Sequence, residues 1–281
     1  MRSKLFVPAI RVELFDKALR SGADAVCFDL EDAVASELRP EARTHLQAFL
    51  ANRTAGSPLL LVRTNPVSSS DFRFDVSSAV WPATYAIALP KVESAEAIWL
   101  AEKSIAALEL DRVITTPLGI LPTIESARGL RTAGEIARSS ARVIGLQIGF
   151  ADLLEPLGIA LDNAGARNQI RLMVRLAAAE ADVDCYDSAF PDFRNLAGSQ
   201  QQLDAARAFG FAGSSCIHPA QVEPANLTFT PTPEALAKAT HTVAAAKLAA
   251  ARGDAVTSIE GQMIDRPFVL AAERLLRRGS S

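Results

Sequence analysis

The sequence predicts an α/β fold: a (β/α)8 barrel followed by a C-terminal helical tail. Short apolar runs alternate with helical patterns along most of the chain, and eight such runs precede a change of pattern after Pro219. The runs are also continuously apolar rather than alternating. That is what strands show when the barrel interior covers one face and helices cover the other.

The elements follow in order. LFVPA near residue 5 leads to RVELFDKALRSG, AVCFDLE near 25 to PEARTHLQAFLANR, then LLLVR near 59, and AIALPK near 86 to SAEAIWLAEKSIAAL. LGILPTIE near 118 leads to SARGLRTAGEIARSS, VIGLQIG near 143 to QIRLMVRLAAAEA, DVDCYD near 182 to SQQQLDAARAFG, and GSSCIHP near 213 closes the set. In the helical segments apolar residues recur three and four positions apart, which gives each a single buried stripe. Ser94 and Ser126 stand where they can cap helices, and Gly22, Gly210 and Gly253 where they can end them. DVDCYD is brief and SAFPDFRNLAGS after it reads as a loop, so an open doubly wound sheet is the alternative architecture. No G-x-G-x-x-G follows the first strand, which argues against a Rossmann dinucleotide site. We therefore expect a barrel over 1–226 and a helical extension over 227–281, packed on its own barrel or on a neighbour's. The extension comprises a helix from about Pro233 to Ala251, the segment SIEGQMIDRP and a last helix through Arg278.

Composition narrows the function. With 281 residues, 49% of them hydrophobic, the chain can bury a large core. A net charge of −3 without a Lys/Arg block removes the electrostatic case for nucleic acid. No apolar run reaches membrane-spanning length, and MRSKLFVPAI is too short and too soon interrupted by Pro8 for a signal peptide, so a cytoplasmic protein is expected. Cys27, Cys185 and Cys216 are odd in number and widely spaced, as reduced core thiols are.

In a (β/α)8 barrel, residues just past the C-terminal ends of the strands converge on one mouth. Here that mouth collects Asp29, Glu31 and Asp32, then Arg63, Lys91, Glu125, Asp152 and His218. Crowded carboxylates repel one another and resist ionisation, and a hard divalent cation offsets both costs. Taken singly, Asp152 reads as a helix cap and Glu125 as a first-turn acid favoured by the helix dipole. Together they read as a metal site. Arg63 can pair with the acids of the second strand or take a substrate carboxylate in two parallel hydrogen bonds, and these roles are compatible. Beside metal ligands, Lys91 reads as a point charge near oxyanions rather than a Schiff-base nucleophile. His218 reads as structural.

The ordered set RSKLFVPA, FDLEDAV, LVRTNP, ALPK, TIES, GFAD, SSCIHP and GQMIDRP resembles the citrate lyase β-subunit-like family of the HpcH/HpaI aldolase superfamily along nearly the whole chain. The resemblance implies a TIM barrel of the phosphoenolpyruvate/pyruvate type, generally oligomeric, here a homotrimer or homohexamer. It also implies Mg²⁺ on Glu125 and Asp152, substrate binding by Arg63, Glu125 and Lys91, and catalysis by Arg63 and Asp265. GQMIDRP is similar to the G-x-M-I-D-x-P segment of malyl-CoA and citramalyl-CoA lyases, which implies that Asp265 is an acid/base supplied by an adjacent subunit. Its local alternative is a helix cap before Arg266-Pro267. Ala9 stands where the first motif usually has glycine, and Phe150 adds bulk before Asp152; both bear on acyl-group selectivity.

The implied reaction is cleavage of a 3-hydroxy-3-carboxyacyl thioester, on CoA or an acyl-carrier protein, to a 2-oxo acid and acetyl-CoA or its carrier equivalent. Citramalyl-CoA and malyl-CoA lead, with citryl thioesters also in view. Thioester hydrolysis at the same site is the alternative, and a scaffold without chemistry is disfavoured by Glu125, Asp152, Arg63 and Asp265 all being present.

Overall fold

The computed structural model describes residues 1–279. The chain divides into two units, Met1–Thr228 and Phe229–Ser281.

The first unit is a closed barrel of eight parallel strands: β1 (Ser3–Pro8), β2 (Ala25–Asp29), β3 (Leu59–Arg63), β4 (Thr84–Leu89), β5 (Gly119–Ile124), β6 (Gly145–Ile148), β7 (Asp184–Asp187) and β8 (Gly213–Cys216). β1 pairs with both β2 and β8, so no edge is left and the open-sheet alternative is excluded. Between and after the strands run α1 (Phe15–Leu19), α2 (Arg39–Ala51), α3 (Phe72–Ala79), α4 (Ala95–Asp111), α5 (Ala127–Arg138), α6 (Phe150–Leu154), α7 (Ala164–Glu180), α8 (Leu196–Ala208) and α9 (Val222–Phe229). Ala25, Cys27, Leu61, Ala86, Ala88, Leu121, Tyr186 and Ala212 form one buried cluster, a mix of small and large side chains. All three cysteines are buried.

Three local outcomes refine the sequence reading. The brief seventh run is a strand, because Cys185 and Tyr186 are buried and Asp187 is neutralised by Arg171 from α7. α3 lies in a stretch where the sequence reading places no helix. Ser126 caps α5, accepting a hydrogen bond from the Gly129 N–H at 3.0 Å, whereas Ser94 occupies the same position before α4 without making one.

The second unit contains α10 (Pro233–Ala251), an antiparallel pair β9 (Thr257–Ile259) and β10 (Gln262–Ile264), and α11 (Arg266–Gly279). No helix among the described residues is long and apolar enough to cross a membrane.

Candidate active site

Register places the charged residues. Asp29 and Arg63 are the last residues of adjacent strands and Cα partners across them, so their side chains meet directly. Arg63 donates from Nε to Asp29 Oδ1 at 2.7 Å and from Nη2 to Oδ2 at 2.6 Å, and Nη1 reaches Asp32 at 3.1 Å. Glu31 Oε2 also lies 3.0 Å from Nη1. Burial opposes the Arg63 charge, but the hydrogen bonds and charges of these acids outweigh it and raise its pKa. Of its five N–H donors, one on Nη2 faces none of these acids.

Lys91 ties this group to the next. Its ammonium donates to Glu31 at 2.8 Å and lies 3.9 Å from Asp152 Oδ1, while its backbone N–H donates to Glu125 Oε1 at 2.6 Å. Lys91 adopts a left-handed backbone conformation, φ 52°, which is uncommon for a residue with a side chain.

Glu125 follows β5 and is only 5% exposed. Burial pushes its carboxyl up to about 8, against the Lys91 N–H bond and with the negative charges of Glu31 and Asp152 adding to the effect. Gly149 precedes α6 and donates to the Ile124 carbonyl at 3.1 Å, which sets it beside Glu125. A Cβ at position 149 would come within 2.7 Å of the Glu125 Cβ, so only glycine leaves this carboxylate in place. Asp152, in the first turn of α6, is more exposed.

Several of these groups face a cavity of about 420 Å³, lined in part by Phe6, Arg63, Glu125, Gln147, Asp152 and Ser215. Glu31 Oε2 is buried without a hydrogen-bond partner, although the Glu31 carboxylate lies within ion-pair distance of both Arg63 and Lys91. Among the described residues no three His, Cys, Asp or Glu side chains are arranged to hold a metal alone. Two carboxylates with water and substrate completing the shell is the donor set that a hard divalent ion accepts.

The structure thus brings Arg63, Lys91, Glu125 and Asp152 together. Asp265 belongs to the second unit, between β10 and α11, where its Oδ1 is buried without a hydrogen-bond partner. His218 caps a single turn after β8, accepting from the Ala220 N–H, and stacks on Phe193 at 4.7 Å. Sequence reasoning missed Lys4, Phe6, Gln147 and Ser215. Lys4 is 2% exposed, with its ammonium 4.8 Å from the Phe6 ring centroid, and burial pulls its pKa down to about 8. Arg63 lies 5.0 Å from the same ring. Gln147 donates to the Ile148 and Asp187 carbonyls and accepts from the Ser215 hydroxyl, fixing the polar floor.

Residues 2–219 match the family described as HpcH/HpaI aldolase/citrate lyase. The chain is 31% identical to the citrate lyase subunit beta of Leuconostoc mesenteroides subsp. cremoris, over 98% of this chain and 92% of that protein. It is 31% identical to a (3S)-malyl-CoA thioesterase of Cereibacter sphaeroides, over 100% and 95%. It is 30% identical to an L-malyl-CoA/beta-methylmalyl-CoA lyase of the same species, over 99% and 94%. Among solved structures, protein CitE of Mycobacterium tuberculosis in complex with magnesium, acetoacetate and coenzyme A superimposes with a TM-score of 0.75 at 31% identity, covering all of both chains.

Proposed function

The chain is an enzyme of the HpcH/HpaI aldolase/citrate lyase family, and on that basis we propose that it is a Mg²⁺-dependent carbon–carbon lyase acting on a 3-hydroxy-3-carboxyacyl thioester of the malyl-CoA, citramalyl-CoA or citryl type. The observation that carries this reading is the gathering of Glu125, Asp152 and Arg63 around one cavity, with the Lys91 ammonium 3.9 Å from Asp152. The donor set fits a hard divalent cation, since Glu125 resists ionisation unless positive charge is brought to it. Glu125 and Asp152 would hold Mg²⁺, which when bound supplies Lewis-acid stabilisation of substrate oxygens.

The residues then divide the work. Arg63 keeps an N–H on Nη2 for the carboxylate of the oxo-acid half, and Asp29 fixes the plane of its guanidinium. Lys91, anchored by Glu31, supplies a second positive charge to developing oxyanions. Asp265, from an adjacent subunit of a homotrimer or homohexamer, removes the substrate hydroxyl proton. The O–H electron pair becomes the carbonyl π bond of the 2-oxo acid as the carbon–carbon bond breaks. That bond's electrons pass to the thioester enolate, which takes up a proton to give the acetyl thioester. Free CoA is the expected carrier, and a cytoplasmic setting suits three buried cysteines.

Thioester hydrolysis is the second reading, favoured by the malyl-CoA thioesterase relative. Incubating malyl-, citramalyl- and citryl-CoA with enzyme and Mg²⁺ separates the two. A 2-oxo acid with acetyl-CoA supports cleavage, free thiol supports hydrolysis, and no turnover of any of the three removes both.

A further inference from the structure

A second cavity of about 210 Å³ adjoins the first and shares Ala151, Ser188 and Ala189 with it. Its walls include Phe150, Leu161, Phe190 and Pro191, and Arg167 from α7 is its cation. The Arg167 guanidinium lies 4.9 Å from the Phe150 ring centroid and donates to Gln202 Oε1. Gln202 is itself buried and donates to the Ser188 carbonyl at 2.6 Å, at the junction of the two cavities. Arg167 Nε is buried and has no hydrogen-bond partner. The neighbouring Arg171 spends its charge on Asp187, with bonds of 3.2 and 2.8 Å, so it does not satisfy Arg167. Burial and the Arg171 charge both disfavour the Arg167 cation. Asp162 is the exposed carboxylate of this pocket; it makes no ion pair with Arg167, and its charge together with that of Asp187 offsets only part of the opposition to the cation.

A half-buried guanidinium on the cavity wall, oriented by an aromatic face and a buried amide and with terminal N–H donors beyond its Gln202 bond, is arranged for an anion. We infer that this side pocket is a specificity subsite for the 2-oxo-acid half of the substrate, and that it receives a distal carboxylate carried on a short apolar spacer. This rests on the lyase reading above. The pocket joins the main cavity beside Ala151 and Ser188, on the Asp152 side, where the oxo-acid half is held under that reading. It is too small for a pantetheine arm and nucleotide, so the thioester half must leave by the open mouth. Phe150 and its apolar neighbours suit methylene groups between the two carboxylates. A dicarboxylic 2-oxo acid fills the subsite, whereas pyruvate and glyoxylate leave it empty.

The test measures binding, so it does not depend on turnover. Calorimetric titrations with Mg²⁺ present compare pyruvate, oxaloacetate and 2-oxoglutarate on the wild-type chain and on Arg167→Met. A dicarboxylic acid should bind the wild type on the order of 10- to 100-fold more tightly than pyruvate, the range expected for a hydrogen bond to a charged group. That ratio should collapse toward one in Arg167→Met. Arg167→Lys, which keeps the charge and much of the aliphatic stem, should retain part of the preference and provides a second variant should the methionine form fold poorly. The better of oxaloacetate and 2-oxoglutarate reports the spacer length. Equal wild-type affinity for all three acids would overturn the subsite, as would a preference that survives both substitutions. Failure of every 2-oxo acid to bind would instead overturn the underlying lyase reading.

Discussion

Magnesium binding should expel a proton from Glu125 and should strengthen as the pH rises toward 8. The perturbation is pH, and the magnitude follows from the position of Glu125, buried beyond β5 with its carboxyl pushed up to about 8. At pH 7 about nine in ten molecules carry the proton, and a hard cation requires the carboxylate, so each binding event should release about 0.9 proton. The apparent Kd should be roughly tenfold weaker at pH 7 than at pH 9, and roughly tenfold weaker again at pH 6. Calorimetry in two buffers of different ionisation enthalpy reads the proton count directly. Glu125→Gln should abolish the release and leave only weak binding through Asp152. The same group sets a stability trend. Its folded pKa is raised, so its contribution is fully present below the unfolded pKa near 4.5 and is lost as pH climbs through about 8. The metal-free protein should therefore lose stability across that window, by up to an amount on the order of 5 kcal/mol, and excess Mg²⁺ should flatten the slope. Proton release near zero at pH 7, with affinity flat from pH 6 to 9, would refute the reasoning.

Other outcomes follow from the same geometry. Arg63→Lys should lower kcat/KM on the order of 10- to 100-fold while leaving Mg²⁺ affinity nearly intact, since lysine keeps the charge but not the paired planar donors; wild-type kcat/KM would make Arg63 structural only. Arg171→Met should cost about 3–5 kcal/mol in urea unfolding, because it strands Asp187 unpaired in the barrel wall, and adding Asp187→Asn should recover part of that loss. Asp265→Asn and Arg63→Ala should each be inactive alone. Their randomly mixed oligomers should regain roughly one site in four, given ring-like contacts between subunits; no recovery, with exchange confirmed by mass spectrometry, would remove Asp265 from a shared site.

The barrel and its charged mouth were legible in the sequence because both depend on local pattern. Apolar runs ending in Asp29, Arg63, Glu125 and Asp152 need only the rule that strand ends converge. Less legible were features set by register and by the barrel interior. Asp29 and Arg63 meet because they are Cα partners, which requires knowing how β2 aligns with β3. Lys4 looks like an ordinary surface lysine in RSKLFVPA, yet the two-residue period places it on the same strand face as Phe6 and Pro8, which line the cavity. Small Ala25 and Cys27 on the neighbouring strand leave it room. The Gln147 and Ser215 contact joins residues 68 positions apart, and no local pattern carries such a pairing. Ser94 misled in the other direction, since a capping residue in the right place made no cap. Arg167 lies on a helix rather than at a strand end, so the convergence rule could not place it at a pocket.

The central claim is that this site breaks a carbon–carbon bond rather than a thioester bond, and isotope tracing in ¹⁸O-labelled water tests it most directly. Given the hydroxyacyl-CoA substrate that it turns over, with Mg²⁺, the enzyme should yield acetyl-CoA and 2-oxo acid in equal amounts, with no hydroxy acid formed. Hydrolysis would instead give free CoA and a hydroxy acid carrying one ¹⁸O in its new carboxylate, and that product as the main outcome would contradict the account.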